Sequence, residues 1–322
     1  MIEPDGDNDS FVTQESQPAP PIADTTALKM RPFAFALLSL AGIFFIYQVV
    51  GGGLTLLIFG ESVTEGNVEW MRLSTMVAQI LFLLAPTLVL MKVQHGAFDT
   101  VVPRRIPRAS EAVLALVGVF SLEQVMEGYL FFQDKIPLPE SLRPFIEQIR
   151  KLIEETYRLL VQAHSLPELF FVILVVALTP AICEELLFRG LVQKNIALAT
   201  NKKWGYILTG IIFGLYHVNP FLIVPLISLG VFFGFLMHRS ETILLPMLAH
   251  FANNLASILG TYYEGDVKDP AALSMFNSLS EYSSTFVIST TIGFAIIFLI
   301  SMYFYLQTTS RLHSSENTVL PA

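Results

Sequence analysis

The chain has 322 residues, of which 53% are hydrophobic and only 14% are charged, and its formal net charge is −8. A mean hydropathy of +0.59 is typical of a protein with several membrane spans and excludes an ordinary soluble domain. The sequence has no cluster of basic residues, so we expect no nucleic-acid partner. Cys183 is the only cysteine, which excludes an intrachain disulfide and a cysteine-based metal site.

The N-terminal residues are the most polar part of the chain. They are acidic, contain Pro18, Pro20 and Pro21, and lack the positive start and early apolar core of a secretory signal. We therefore predict a disordered acidic tail over 1–31, a membrane domain over 32–308 and a C-terminal tail over 309–322.

Long apolar runs fill the membrane domain. Because a helix needs about 20 apolar residues to cross a bilayer, these runs predict an all-α polytopic membrane helix bundle with about eight transmembrane helices. Two of the runs are short. Their helices are either tilted, extend past the boundaries of the apolar run, or form a pair that does not fully cross the membrane. The predicted spans are 33–59, 73–92, 112–132, 168–189, 205–218, 221–237, 242–262 and 284–306, of which 205–218 and 221–237 are the short ones.

Basic residues lie in alternate short loops, which is the pattern of cytoplasmic loops in multi-pass proteins. We therefore predict a protein of the cell membrane with both termini in the cytoplasm. The basic residues in question are Lys29, Arg31, Arg104, Arg105, Arg108, Lys194, Lys202, Lys203, Arg239 and Arg311.

The long segment 133–167 does not fit this alternation, since it carries five basic residues on the predicted outer side. A loop of that length has less influence on topology than a short one. From Leu142 to Leu160 its apolar residues recur at helical spacing, with charged residues on the other face. This pattern predicts an amphipathic helix that lies in the membrane interface.

Polar side chains occur inside three of the apolar spans, where a charge costs at least about 2.5 kcal/mol. If the fourth helix continues to about Lys194, these side chains lie at similar depths. Each of them has an ordinary explanation alone, as a helix end or a buried histidine, but together they predict one shared polar site. They are Glu184, Glu185 and Arg189 in the fourth span, His217 in the fifth, and His250 and Asn254 in the seventh.

Spacing on the helices indicates separate roles for these residues. Glu185 and Arg189 are four residues apart, so we expect them to form an ion pair. Glu184 then has no local partner and can face a cavity as a proton acceptor or donor. His250 and Asn254 share a helix face, where they can bind an oxyanion, hold a metal ion or join two helices.

The three polar segments resemble the motifs of the CPBP intramembrane proteases. That family includes the type II CAAX prenyl endopeptidases and the Abi proteins linked to bacteriocin processing. The resemblance covers about 166–260. The motifs are Glu184-Glu185-x-x-x-Arg189, Phe213-x-x-x-His217 and His250-x-x-x-Asn254.

The resemblance implies an intramembrane endopeptidase that hydrolyses a peptide bond in a membrane-associated, prenylated or leader-bearing protein, with membrane lipid as its surroundings. In this family the first glutamate, here Glu184, activates water. His217, His250 and Asn254 assist, and Glu185, Arg189 and Phe213 are the supporting motif positions.

The cofactor and the class of function stay open at this point. Glu184, His217 and His250 could supply the three ligands of a zinc metalloprotease. A metal-independent glutamate mechanism is slightly preferred, because a zinc-bound Glu184 could not easily also be a free base. A non-enzymatic membrane binding protein or a proton-coupled transporter would use a similar buried polar site.

Overall fold

A computed structural model describes residues 29–60, 63–96, 102–264 and 282–316. Within these ranges the chain forms helices, connecting loops and one isolated antiparallel bridge between Arg104 and Thr242. The prediction of an all-α membrane bundle is confirmed. The helices are α1 (Pro32–Phe59), α2 (Val68–His95), α3 (Ala109–Gln133), α4 (Arg143–Val161), α5 (Leu166–Ala199), α6 (Lys202–Tyr216), α7 (Ile223–Ser240), α8 (Leu244–Glu264) and α9 (Ser284–Glu316).

Most of the predicted tails lie outside the described residues, namely 1–28 at the N-terminus and 317–322 at the C-terminus. Helix α9 extends to Glu316, so the first part of the predicted C-terminal tail is helical.

Six helices in the described part of the chain are long and apolar enough to cross a membrane: α1, α2, α3, α5, α7 and α9. The predicted number of eight is therefore not confirmed. Helix α6 has only 15 residues. Helix α8 has 21 residues, but His250, Asn253 and Asn254 lower its hydropathy. Helices α6 and α8, which are not among the six, are two of the three helices that bring polar residues to the predicted site.

Helix α5 is the longest of the six and the best buried. It has 34 residues and runs ten residues beyond its predicted end at 189, which places Glu184 well inside the helix. Its first turn is capped by Ser165, whose hydroxyl accepts from the backbone N–H of Glu168. Two stretches, Ile173–Leu178 and Leu186–Gln193, are wound as π-helix, a form that is frequent at functional sites.

Helices α6 and α7 form a hairpin in which the two backbones touch through glycines. A Cβ atom on Gly210 would lie 2.4 Å from the backbone nitrogen of Val231, and one on Gly230 would lie 2.7 Å from the Gly210 carbonyl oxygen. Gly214 and Gly234 are similarly close to the opposite helix. This close approach fixes the position of His217, which directly follows α6. The signal was present in the sequence as Gly210-x-x-x-Gly214 and Gly230-x-x-x-Gly234.

The amphipathic segment predicted from Leu142 to Leu160 is the helix α4. Its Phe145 and Leu152 side chains are exposed. Arg72 of α2, which is only 1% exposed, binds the C-terminal end of α4 and joins it to the bundle. The guanidinium donates to the backbone carbonyls of Leu159, Leu160 and Gln162, and it forms ion pairs with Glu69 at 2.7 Å and Glu168 at 2.8 Å.

A buried polar contact near the predicted cytoplasmic side sets the start of α8. Arg105 donates to both carboxylate oxygens of Glu111 at 3.0 Å and to the Ser240 carbonyl at 2.8 Å. The Thr242 hydroxyl donates to the Arg105 carbonyl at 2.5 Å. The segment before α3 therefore holds the turn between α7 and α8, and with it the register of His250.

Candidate active site

The two adjacent glutamates of α5 point to different surroundings. Glu185 and Arg189 form the ion pair expected from their spacing, with Arg189 Nε 3.0 Å from Glu185 Oε2 and both side chains 0% exposed. The Glu184 side chain remains 16% exposed and takes no part in this pair. Each charge of this buried pair offsets part of the desolvation cost of the other, so loss of one partner would leave the other charge buried without compensation.

The second oxygen of Glu185 contacts α8. Oε1 lies 2.9 Å from His250 Nδ1, although the two residues are 65 positions apart. Because a carboxylate oxygen can only accept, Nδ1 carries the hydrogen of this bond. The His250 ring also stacks on Phe233, with ring centroids 5.1 Å apart and planes at 18°. Glu185 therefore links Arg189 to His250 and orients the imidazole.

Aromatic rings surround the Arg189 guanidinium. Its central carbon lies 5.0 Å from the Phe213 ring centroid and 5.5 Å from that of Phe233. One of its terminal nitrogens donates to the Gly230 carbonyl at 2.9 Å. Cation–π contacts and this hydrogen bond stabilise a charge that is excluded from water. Arg189 thus joins α5 to the α6–α7 hairpin.

His217 lies beside Glu184. Its Nδ1 is 2.7 Å from the Phe213 carbonyl oxygen, and its Nε2 is 3.7 Å from Glu184 Oε2. A carbonyl oxygen can only accept, so Nδ1 again carries the hydrogen and Nε2 of the neutral ring is an acceptor. The two atoms that face each other across 3.7 Å are therefore both acceptors, an arrangement suited to a shared hydrogen donor such as water.

Two local features place the His217 ring. Phe213 is 2% exposed and contacts the His217 ring at a centroid distance of 4.6 Å and the His250 ring at 6.0 Å. Val218 has a φ of 51°, in the left-handed region that β-branched residues rarely adopt. Strain of this kind costs about 1–3 kcal/mol and persists where the surroundings enforce it. The left-handed conformation of Val218 turns the chain directly after His217.

Asn254 joins α8 to the first π-helical stretch of α5. Its Nδ2 donates to the Val176 carbonyl at 3.1 Å, and its Oδ1 accepts from Asn253 Nδ2 at 3.3 Å. An amide nitrogen carries two hydrogens, so one further donor remains. Asn254 therefore joins two helices in the structure, as one of its predicted roles requires. Its binding of an oxyanion stays a prediction.

The proposed zinc ligands do not form one cluster. Glu184 is paired with His217, whereas His250 is paired with Glu185. Across the described ranges there is no group of three His, Cys, Asp or Glu side chains that could hold a metal ion. As the side chains lie, they do not fit the three-ligand zinc site that the sequence left open.

Comparison with protein families gives a match for part of the chain. Residues 166–256 match the family described as Rce1-like: Type II CAAX prenyl endopeptidase Rce1-like. Comparisons with curated proteins and with solved structures give no match. The matched segment begins with α5 and contains all three motifs. The family match thus confirms the resemblance drawn from those motifs, and it relates residues 166–256 of this multi-pass membrane protein to the type II CAAX prenyl endopeptidases.

Proposed function

We propose that the protein is an intramembrane endopeptidase of the CAAX type, which hydrolyses a peptide bond in a lipidated or membrane-associated protein. The observation that carries the proposal is the pair formed by Glu184 Oε2 and His217 Nε2, 3.7 Å apart inside an apolar bundle. The family match over residues 166–256 supports it.

The pair is suited to holding a nucleophilic water molecule. Water can donate one hydrogen to Glu184 and the other to His217, which leaves an oxygen lone pair free to attack a carbonyl carbon. As the new C–O bond forms, Glu184 takes the proton and later passes it to the leaving amine nitrogen. The Phe213 carbonyl supports this step by holding the His217 hydrogen on Nδ1.

His250 and Asn254 are the proposed partners of the oxyanion that this attack creates. With its Nδ1 hydrogen bonded to Glu185, His250 can donate from Nε2 when the ring is an imidazolium ion. The Glu185 carboxylate then stabilises the positive charge, as buried acids do beside histidines in other hydrolases. The second amide hydrogen of Asn254 is the other candidate donor.

The family match supports a proposal for the substrate class. A CAAX prenyl endopeptidase acts on a chain whose prenylated cysteine lies close to the C-terminus, so we propose a prenylated C-terminal peptide as the substrate. A leader-bearing peptide, as in the bacteriocin processing to which the Abi proteins are linked, is the alternative within the same chemistry.

The test uses the full-length protein in lipid nanodiscs. Three peptides are compared: a farnesylated CAAX peptide, the same peptide without the lipid, and an unrelated leader peptide. We expect cleavage after the farnesylated cysteine by the wild type and loss of cleavage in Glu184→Gln. Preferential cleavage of the leader peptide would change the substrate class. No cleavage of any peptide, together with proton flux in liposomes, would favour a transporter.

A further inference from the structure

The loop that follows His217 is fixed at both of its ends. At its start, His217 Nδ1 is bonded to the Phe213 carbonyl at 2.7 Å. At its other end, Gln133 Nε2 of α3 donates to the Phe221 carbonyl at 3.0 Å, although these two residues are 88 positions apart. Arg150 of α4 covers the Phe221 ring, with the guanidinium carbon 4.8 Å from the ring centroid. Two other helices thus hold Phe221, one by its backbone and one by its side chain.

Arg150 is itself held in place by the end of α3. Its Nη1 atom lies 2.6 Å from Oδ1 of Asp134, the residue that directly follows Gln133. A cation that is fixed by an ion pair stacks on an aromatic ring with less loss of side-chain entropy than a free one. We call the set of Gln133, Asp134 and Arg150 the Phe221 clamp.

The strained residue Val218 lies between these two fixed ends. Its φ of 51° is unfavourable for a β-branched residue and persists only where the surroundings enforce it. The Val218 side chain is 65% exposed, so its own packing does not enforce this conformation. The enforcement must come from the ends of the loop. Pro220 and the 3.1 Å bond from the Phe221 N–H to Asn219 Oδ1 stiffen the chain between Val218 and the clamp.

We propose that Gln133 and Arg150 are positioning residues, which hold Phe221 so that Val218 stays in the left-handed conformation and the His217 ring stays beside Glu184. Without the clamp, Val218 relaxes to a negative φ and the chain direction after His217 changes. The 3.7 Å pair of His217 Nε2 and Glu184 Oε2 is then lost. The inference rests on the proposed function for its effect on cleavage.

Gln133→Met and Arg150→Met test the proposal, because each removes one contact of the clamp and keeps an unbranched side chain. With the farnesylated CAAX peptide we expect kcat to fall about 10- to 100-fold in each, the loss that a displacement of about 1 Å can cause. KM should stay at its wild-type value, since the water and not the peptide is misplaced. The matched control is Lys135→Met, which breaks a 2.9 Å bond from the same end of α3 to Ser284 of α9 and should leave kcat unchanged.

A glycine at the strained position distinguishes positioning from a general structural role. Glycine adopts positive φ without strain, so in a Val218→Gly background the loop needs less enforcement. The loss of kcat caused by Gln133→Met should therefore be about 10-fold smaller in that background than in the wild type, a factor within the range of the strain that is relieved. An equal loss in both backgrounds would overturn the proposal, as would an unchanged kcat in Gln133→Met or Arg150→Met.

Hydrogen exchange separates this inference from the proposed function, since it needs no turnover. The N–H of Val218 is bonded to the Leu215 carbonyl at 3.2 Å, and that of Leu222 to the Asn219 carbonyl at 3.3 Å. Exchange over residues 217–222 should be faster in Gln133→Met and Arg150→Met than in the wild type and Lys135→Met. Faster exchange without cleavage of any peptide would support the clamp and count against the proposed function. Unchanged exchange in the two clamp variants would contradict the clamp itself.

Discussion

His250 Nδ1 donates a 2.9 Å hydrogen bond to Glu185 Oε1, while the other oxygen of the same carboxylate pairs with Arg189 at 3.0 Å. The buried Glu185 carboxylate therefore binds both Arg189, which joins helices, and the ring of His250, which is a proposed catalytic residue. The two glutamates of the motif thus have different partners: Glu184 lies beside His217, and Glu185 binds His250.

The first prediction distinguishes the two glutamates. In Glu184→Gln we expect a Tm close to wild type and a fall in kcat of about 10²- to 10⁴-fold, as for loss of a general base. In Glu185→Gln the buried Arg189 loses its counter-charge, which costs about 3–5 kcal/mol of unfolding free energy. Thermal unfolding in detergent and peptide cleavage are measured for both. Wild-type stability in Glu185→Gln would contradict the assignment.

The second prediction concerns the α6–α7 hairpin. Gly210→Ala places a methyl group 2.4 Å from the Val231 nitrogen, so the helices must separate. We expect a loss of about 1–3 kcal/mol or more of stability, together with reduced cleavage, because His217 moves with α6. Gly53→Ala is the control, since its Cβ would meet no atom within 4 Å. Equal effects of the two substitutions would exclude the close backbone contact.

The third prediction concerns Arg72. Arg72→Met puts an unbranched apolar side chain in place of the arginine and removes its hydrogen bonds to the backbone carbonyls at the end of α4. We expect faster hydrogen exchange in α4 and a lower Tm, because a buried arginine with several hydrogen bonds is lost. Arg143→Met is the matched control. Its pair with Glu140 is exposed, at 45% and 87% of the two side chains, so little change is expected.

The fourth prediction concerns metal content. Since the proposed ligands are distributed over two carboxylate–imidazole pairs, we expect no stoichiometric zinc in the purified protein and little effect of chelators on cleavage. His217→Ala and His250→Ala should impair cleavage without changing the metal content. Elemental analysis is the measurement. Stoichiometric zinc that disappears in His250→Ala would establish a metal mechanism and leave the protease assignment in place.

The fifth prediction concerns topology. In a Cys183→Ala background, cysteines at Asn8 and Ser314 should react only with reagents added from the cytoplasmic side. A cysteine at Glu140, whose side chain is 87% exposed, should react only from the outside. Labelling of either terminus from the outside would refute the arrangement.

Local patterns account for what the sequence could predict. The apolar runs predicted membrane helices, and the four-residue spacing predicted the ion pair between Glu185 and Arg189. The Glu185–His250 bond joins residues 65 positions apart, so no local spacing indicates it. The role of Arg72 could not be predicted for another reason. A basic residue near the end of a span is common, and its contact with α4 exists only in the folded protein. The glycine motifs of α6 and α7, by contrast, were readable in the sequence.

The brevity of α6 and the polarity of α8 have a consequence for how the protein is made. A segment of 15 residues, or one interrupted by His250 and two asparagines, gains too little from lipid to be inserted by itself. Both must enter the membrane together with neighbours that cover their polar groups. We therefore expect the proposed active site to be assembled late in biogenesis, after the more apolar helices are in place, so that partly synthesised chains stay inactive.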